Sequence, residues 1–236
     1  MSYSDYIEWK DWREDAFGTC LPGQKAYFDA EIGPYIAYTR PAETCLVEVG
    51  FGNGPLLAWG RSRGIDVIGS EIQPALQQRA RQAGYKVVDN LSEIPAGTAD
   101  IVVALDVFEH VPYDELILLC RDIARILKPE GCLLARFPNG DSPFSMPFQN
   151  GDATHVHALG ANKIRRLMSA SGFAVEALRA PFEPRFSVRG RLFMPVRRVM
   201  RWIYASFVRL AFMEGDTPST FTANYLLVAR KPKRQT

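Results

Sequence analysis

"VEVGFGNGP", residues 47–55, places glycines at 50, 52 and 54 directly behind an apolar run, Cys45–Val49. A turn built this way is tight, and a ligand can approach its backbone without meeting Cβ atoms. In an open α/β sheet such a turn lies beyond the carboxyl end of a strand, where ligands bind. The dinucleotide-binding spacing G-x-G-x-x-G would need a third glycine at 55 and finds Pro55 instead. Glu48 precedes the turn, and a carboxylate there suits a ligand with positive charge better than one carrying phosphates.

Outward from this turn, short apolar runs alternate with amphipathic stretches. The predicted strands are Cys45–Val49, Asp66–Gly69, Lys86–Val88, Ile101–Leu105, Cys132–Phe137, Phe173–Ala177 and a last one at Asn224–Ala229. Predicted helices are Pro55–Ser62, Gln73–Ala83, Tyr113–Leu127 and Ala161–Ala170, with Asp114 as a cap and LKPEG, residues 127–131, as a stop. Strand–helix alternation with nearly continuous apolar strands predicts an α/β fold, a parallel sheet covered on both faces. One domain is expected over residues 1–236: a leader over 1–40, a core over 41–178, a basic amphipathic insertion over 179–223, and a last strand with a basic tail over 224–236.

The net charge of +2 hides an asymmetry. From Arg179 onward twelve Lys/Arg face three Asp/Glu, so this quarter carries +9 and the remainder −7. A basic end on an acidic body suggests an anionic partner or surface. The opening MSYSDYIEWKDWRED has no apolar signal core, and no run approaches the roughly 18 apolar residues of a membrane span. Cys20, Cys45, Cys120 and Cys132 lack metal-ligand spacing and are expected as reduced core thiols of a cytoplasmic protein.

Three more segments bear on chemistry. Glu71, with Ile72 beside it, ends the second strand 21 residues beyond Gly50, where a carboxylate can accept both ribose hydroxyls. Asp89 and Asn90 end the third strand, where they either contact an adenine edge or merely form a turn. The fourth strand ends in Asp106 and Val107, with Glu109 and His110 just beyond. Asp106 faces either ligand or local backbone, and Glu109 reads as mainly structural.

The E-x-G-x-G-x-G turn, the acidic end of strand two, the D-x-x-E-H stretch and the LKPEG turn, in this order over residues 43–178, closely resemble the class I S-adenosylmethionine-dependent methyltransferases. The resemblance implies a Rossmann-like, doubly wound sheet of seven strands, mostly parallel, with the last antiparallel. It implies S-adenosyl-L-methionine as cofactor, its methionine moiety over Gly50, Phe51, Gly52, Asn53 and Gly54, and its ammonium group facing Glu48. Gly54 has a second explanation, close helix packing. A nicotinamide-dependent oxidoreductase is disfavoured by Pro55 and Glu48, and an inactive scaffold by the intact cofactor motifs. Nucleic acid is not an expected partner, since no N-P-P-Y-type or cysteine-nucleophile motif is found.

Methyl transfer from a sulfonium is catalysed largely by alignment and exclusion of water. A hydroxyl acceptor also needs a base, and His110, His155 and His157 all fall in loops where one could sit. His155 is the first choice as catalytic residue, although it could instead brace the next helix. No metal site is expected. Tyr3, Tyr6, Trp9 and Trp12 share one helical face and form either a lid or a docking stripe. Residues 192–213, apolar with Arg197, Arg198, Arg201 and Arg209 on one edge and Arg189 and Arg191 before them, form either an interfacial helix at the inner face of a membrane, a helix docked with its arginines in water, or a dimer contact. The expected activity is O-methylation of a small-molecule or lipid-linked glycan acceptor, with the oligomeric state open.

Overall fold

The computed structural model describes residues 16–36, 41–184, 192–213 and 220–233. The aromatic stripe of the leader, Arg189 and Arg191 lie outside these residues. Seven strands form one sheet: β1 (Cys45–Val49), β2 (Asp66–Ser70), β3 (Lys86–Val88), β4 (Ala99–Leu105), β5 (Leu127–Pro138), β6 (Ala174–Arg179) and β7 (Asn224–Arg230). Their order is β3-β2-β1-β4-β5-β7-β6. Pairings from β3 to β5 are parallel, and β7 inserts antiparallel between β5 and β6. Strand order reverses between β1 and β4, so the carboxyl ends of these two strands frame the crevice where ligands bind.

Eight helices are described: α1 (Pro22–Glu31), α2 (Gly33–Ile36), α3 (Pro55–Ser62), α4 (Pro74–Gln82), α5 (Tyr113–Ile126), α6 (Met146–Gly151), α7 (Ala161–Ala170) and α8 (Met194–Phe212). Side chains alternate across each strand, so one sheet feeds two cores. Val47, Val49, Leu133 and Phe137 meet Leu116, Ile123, Ile164 and Leu167 of α5 and α7. Leu46, Val103 and Leu134 meet Phe28, Leu57, Trp59 and Leu76 of α1, α3 and α4. The leader therefore contributes part of the core as well as a covering.

Several boundaries move for local reasons. Leu127 pairs with Ala99 and Cys132 with Ile101, so Lys128 to Gly131 bulge out between two ladder pairs and LKPEG is drawn into β5. Glu130 takes φ 64°, the left-handed bend of that bulge. Asp114 is not the cap of α5; Pro112 occupies that position, and Asp114 and Glu115 sit in the first turn, where the helix dipole favours negative charge. The thiols of Cys45, Cys120 and Cys132 are free and buried, and burial pushes them up to about 11, 12 and 12. Cys20 is also free but only partly buried, because its segment skirts the glycine turn rather than entering the core.

Candidate active site

Two cavities open at the carboxyl ends of the strands and share Gly50 and Asp106. The first, about 710 Å³, is walled by Tyr27, Glu48, Arg136, Phe182 and Asn224, with Phe51, Gly52 and Asn53 at its floor. The second, about 530 Å³, is walled by Glu71, Ile72, Asp89, Asn90, Val107 and His110. Gly54 borders neither. It caps α3 at φ 74°, and a Cβ there would come within 2.9 Å of the Phe17 ring, which favours the packing explanation of that glycine.

The glycine turn is held from beneath. Gly50 has φ 70°, and a Cβ on it would approach Cγ2 of Val107 to 2.6 Å. The Glu71 carboxylate accepts from the amides of Gly52 at 3.1 Å, Ile72 at 2.8 Å and Gln73 at 3.1 Å. Glu71 thus joins the end of β2 to the turn after β1. Phe51 turns its ring into the core against Gly69, leaving only its backbone to a ligand. Asn53 donates to the Ala16 carbonyl at 3.2 Å.

Glu48 projects on the same face of β1 as Leu46, into the apolar layer under α3. It is buried, and its Oε2 atom has no hydrogen-bond partner among the described residues. Burial, and secondarily the nearby Glu71 charge, raise its carboxyl well above the usual range. A buried carboxyl oxygen without a partner is costly, and a cation entering the first cavity would relieve that cost.

At the outer end of the second cavity, Asp89 is exposed and pairs with Arg81. The Asn90 side chain accepts from the Ser92 amide at 2.9 Å, capping the turn at Leu91–Glu93. Ile72 is a largely exposed apolar side chain on the rim. Asp106 bends at φ 57° and pairs with Arg136, whose guanidinium also lies 5.0 Å over the Tyr27 ring. Burial pushes the Tyr27 hydroxyl up to about 12.

The three histidines converge on the turn after β4 but face differently. His110 lines the second cavity, and its Nδ1 lies 2.9 Å from Oγ1 of Thr154, which donates to Oδ1 of Asp152 at 2.5 Å. His155 sits behind, its side chain only 7% exposed, with Nδ1 3.1 Å from the Gln149 carbonyl and Nε2 3.9 Å from Glu109 and 3.8 Å from Asp152. Its ring meets the His110 ring edge-on at 4.6 Å. His157 directs Nε2 to the Phe108 carbonyl at 3.1 Å, and neither His155 nor His157 borders either of these two cavities. The ligand atoms of Glu109, His110 and His155 lie within 4.8 Å of one another.

Arg136, Tyr27, Thr154 and Asp152 join the site without a signal in the motifs. Arg136 left a trace as the charged residue of the apolar run CLLARF, and Asp152 as the carboxylate nearest His155 and His157 in the sequence.

A model of the methyltransferase domain matches residues 23–178 of this chain. The chain belongs to the class I S-adenosylmethionine-dependent methyltransferases. A ubiquinone biosynthesis O-methyltransferase of Bordetella avium (strain 197N) is 28% identical over 199 residues, covering 79% of this methyltransferase and 75% of the relative. A SAM-dependent methyltransferase from Archaeoglobus fulgidus superposes with a TM-score of 0.66 at 19% identity, over 98% of this chain and 100% of that one. One from Mesorhizobium loti gives 0.54 at 17% identity, over 85% and 97%. The donor set of this methyltransferase fits S-adenosylmethionine: a buried carboxylate oxygen without a partner among the described residues stands where a cation could approach, and Gly50 borders both cavities beside it.

Proposed function

We propose that this methyltransferase O-methylates a small hydroxylated acceptor, with His110 as general base. Glu48 would hold the cofactor's ammonium group and Glu71 its ribose hydroxyls. Asp89, Asn90 and Ile72 would border the adenine, and Val107 would close the inner wall against Gly50. When bound, S-adenosylmethionine supplies a methyl group already activated on sulfur, so the protein must align, dehydrate and deprotonate.

The observation that carries the base is the chain His110–Thr154–Asp152. The single Thr154 hydroxyl proton goes to Asp152, so Oγ1 accepts from Nδ1–H of His110. That assigns the tautomer and makes Nε2 the basic nitrogen. His110 would take the acceptor's hydroxyl proton on Nε2 as the oxygen attacks, while Thr154 and Asp152 hold the ring. His155, buried behind it, would brace the ring and the loop. The O-methyltransferase activity in the Bordetella relative's name agrees in reaction type.

The test is incubation of cell extract with isotopically labelled S-adenosylmethionine, followed by mass spectrometry of labelled products. An ether or ester methyl product, with His110→Ala slowing turnover by roughly 10²–10⁴-fold and changing cofactor affinity far less, is expected. A product methylated on nitrogen or carbon would overturn the acceptor class. Near wild-type turnover of His110→Ala would remove the base.

A further inference from the structure

The connection between β6 and β7 carries α8, which has no buried residue. Val196, Met200, Ile203, Phe207 and Leu210 recur at spacings of four and three, one face of a helix, and all are exposed, Leu210 at 91%. Val199 and Trp202, the latter 69% exposed, widen this apolar face to about half the circumference at about 100° per residue. The opposite face is the one turned to the protein. Met194, Ala205 and Val208 are partly covered there, Arg201 pairs with Glu183 at 3.0 Å, and Arg209 lies 5.7 Å from the Phe221 ring. Arg197, Arg198 and Arg201 nevertheless stay exposed, so the helix rests on the body through a few partial contacts and leaves its apolar face open.

Continuity with the site is direct. Tyr204 touches the rings of Phe144, at 5.0 Å, and Phe221, at 6.3 Å. Phe144, in the turn after β5, and Phe148, on α6, are themselves about half exposed. Glu183, the partner of Arg201, lines the first cavity, as does Thr222 next to Phe221. The helix thus stands at the mouth of that cavity.

We infer that α8 is an interfacial helix that seats the mouth of the first cavity on an anionic lipid bilayer. Charge selects this occupant. The helix holds four arginines and no Asp or Glu within the basic +9 quarter, and Arg197, exposed beside Tyr204, borders the apolar face. A second copy packed face to face would set side by side two helices that each carry four arginines and no Asp or Glu. Among the described residues, no helix is long and apolar enough to cross a membrane, so α8 lies in the headgroup plane, with its apolar face in the acyl boundary. Trp202, on the edge of that face opposite Arg197, suits the same depth.

The test is sedimentation of the full chain with vesicles of phosphatidylcholine alone or with a third phosphatidylglycerol. Wild type should pellet with the anionic vesicles only, and less at high salt. Arg197→Gln and Arg198→Gln should each weaken partitioning by on the order of fivefold. Phe207→Glu with Leu210→Glu should abolish it while leaving the melting temperature and the turnover of a soluble acceptor unchanged, since both side chains are exposed. Trp202 emission should shift to the blue on binding, a change lost in Trp202→Phe. A chain that stays in the supernatant with anionic vesicles at low salt overturns the inference. So does equal binding to neutral vesicles. A wild-type dimer in ultracentrifugation that Leu210→Glu dissociates would assign the face to a second copy, and a face protected from hydrogen exchange by residues 1–15 would assign it to the leader.

Discussion

Arg136 grips the Asp106 carboxylate from the neighbouring strand, Nε 2.9 Å from Oδ1, while the Asp106 amide donates to the Arg136 carbonyl at 2.8 Å. Backbone and side chain together hold Asp106 at a left-handed φ of 57° where the two cavities meet, a conformation that costs about 1–3 kcal/mol in most residues. Arg136→Ala is expected to lower stability by about 1–2 kcal/mol, the value of a charged hydrogen-bonded pair reduced because Asp106 is half exposed. Arg136→Lys should recover only part, since one ammonium cannot supply two parallel N–H groups. Urea unfolding of the three proteins gives the comparison; equal midpoints would show that the backbone alone holds the bend.

Glu71→Gln should weaken S-adenosylmethionine binding by about 2 kcal/mol, roughly 30-fold, and also loosen the glycine turn. The amides of Gly52, Ile72 and Gln73 all rely on this carboxylate, and an amide side chain offers them a single uncharged oxygen. Calorimetric titration measures the affinity, and hydrogen exchange at Gly52 reports the turn. Unchanged affinity with faster exchange would leave Glu71 a purely structural role.

Glu48 makes the cofactor-free protein sensitive to pH. Its folded carboxyl is raised by burial and by Glu71, so the folded state favours the proton. The stability it contributes is full below the unfolded carboxyl pKa of about 4.3 and is lost as pH rises through the raised folded value. Glu48→Gln should therefore raise the melting temperature at neutral pH, by about 2–4 °C for each kcal/mol recovered. Cofactor binding should release a proton from Glu48, visible as a dependence of the calorimetric heat on the buffer's ionisation enthalpy. A heat independent of buffer would separate Glu48 from the ammonium group.

Glu31 and Arg179 tie α1 to the end of β6, with contacts of 3.1 and 2.6 Å, and the Phe182 amide donates to the same buried carboxylate. Glu31→Ala is expected to cost about 2–3 kcal/mol, less than a fully buried pair because Arg179 is partly exposed. It should also raise KM more than it changes kcat, because Phe182 and Glu183 form a wall of the first cavity, which Glu48 also lines. A loss of stability with an unchanged KM would confine the pair to the scaffold.

The strand series, its alternation with helices and the glycine turn were legible because each is written in local sequence. Apolar period, strand length and the steric freedom of Gly50 depend on near neighbours, and β1, β3, α3 and α7 fall on their expected bounds. LKPEG was less transparent, because whether a turn joins a strand depends on a partner, here Ala99, that lies well upstream.

The site divides along the same line. The sequence by itself determined which residues stand at strand ends, Glu48, Glu71, Asp89 and Asp106, because strand ends are local events. Only the tertiary structure decided what each one faces. It placed Arg136 against Asp106, made Glu71 the support of the glycine turn, and set Thr154 and Asp152 behind His110 while burying His155. It also brought Arg201 of α8 to Glu183 and left the apolar face of that helix outward. Helical period says that two faces differ, but which one meets the protein is decided by the charges and rings that distant segments bring beside it.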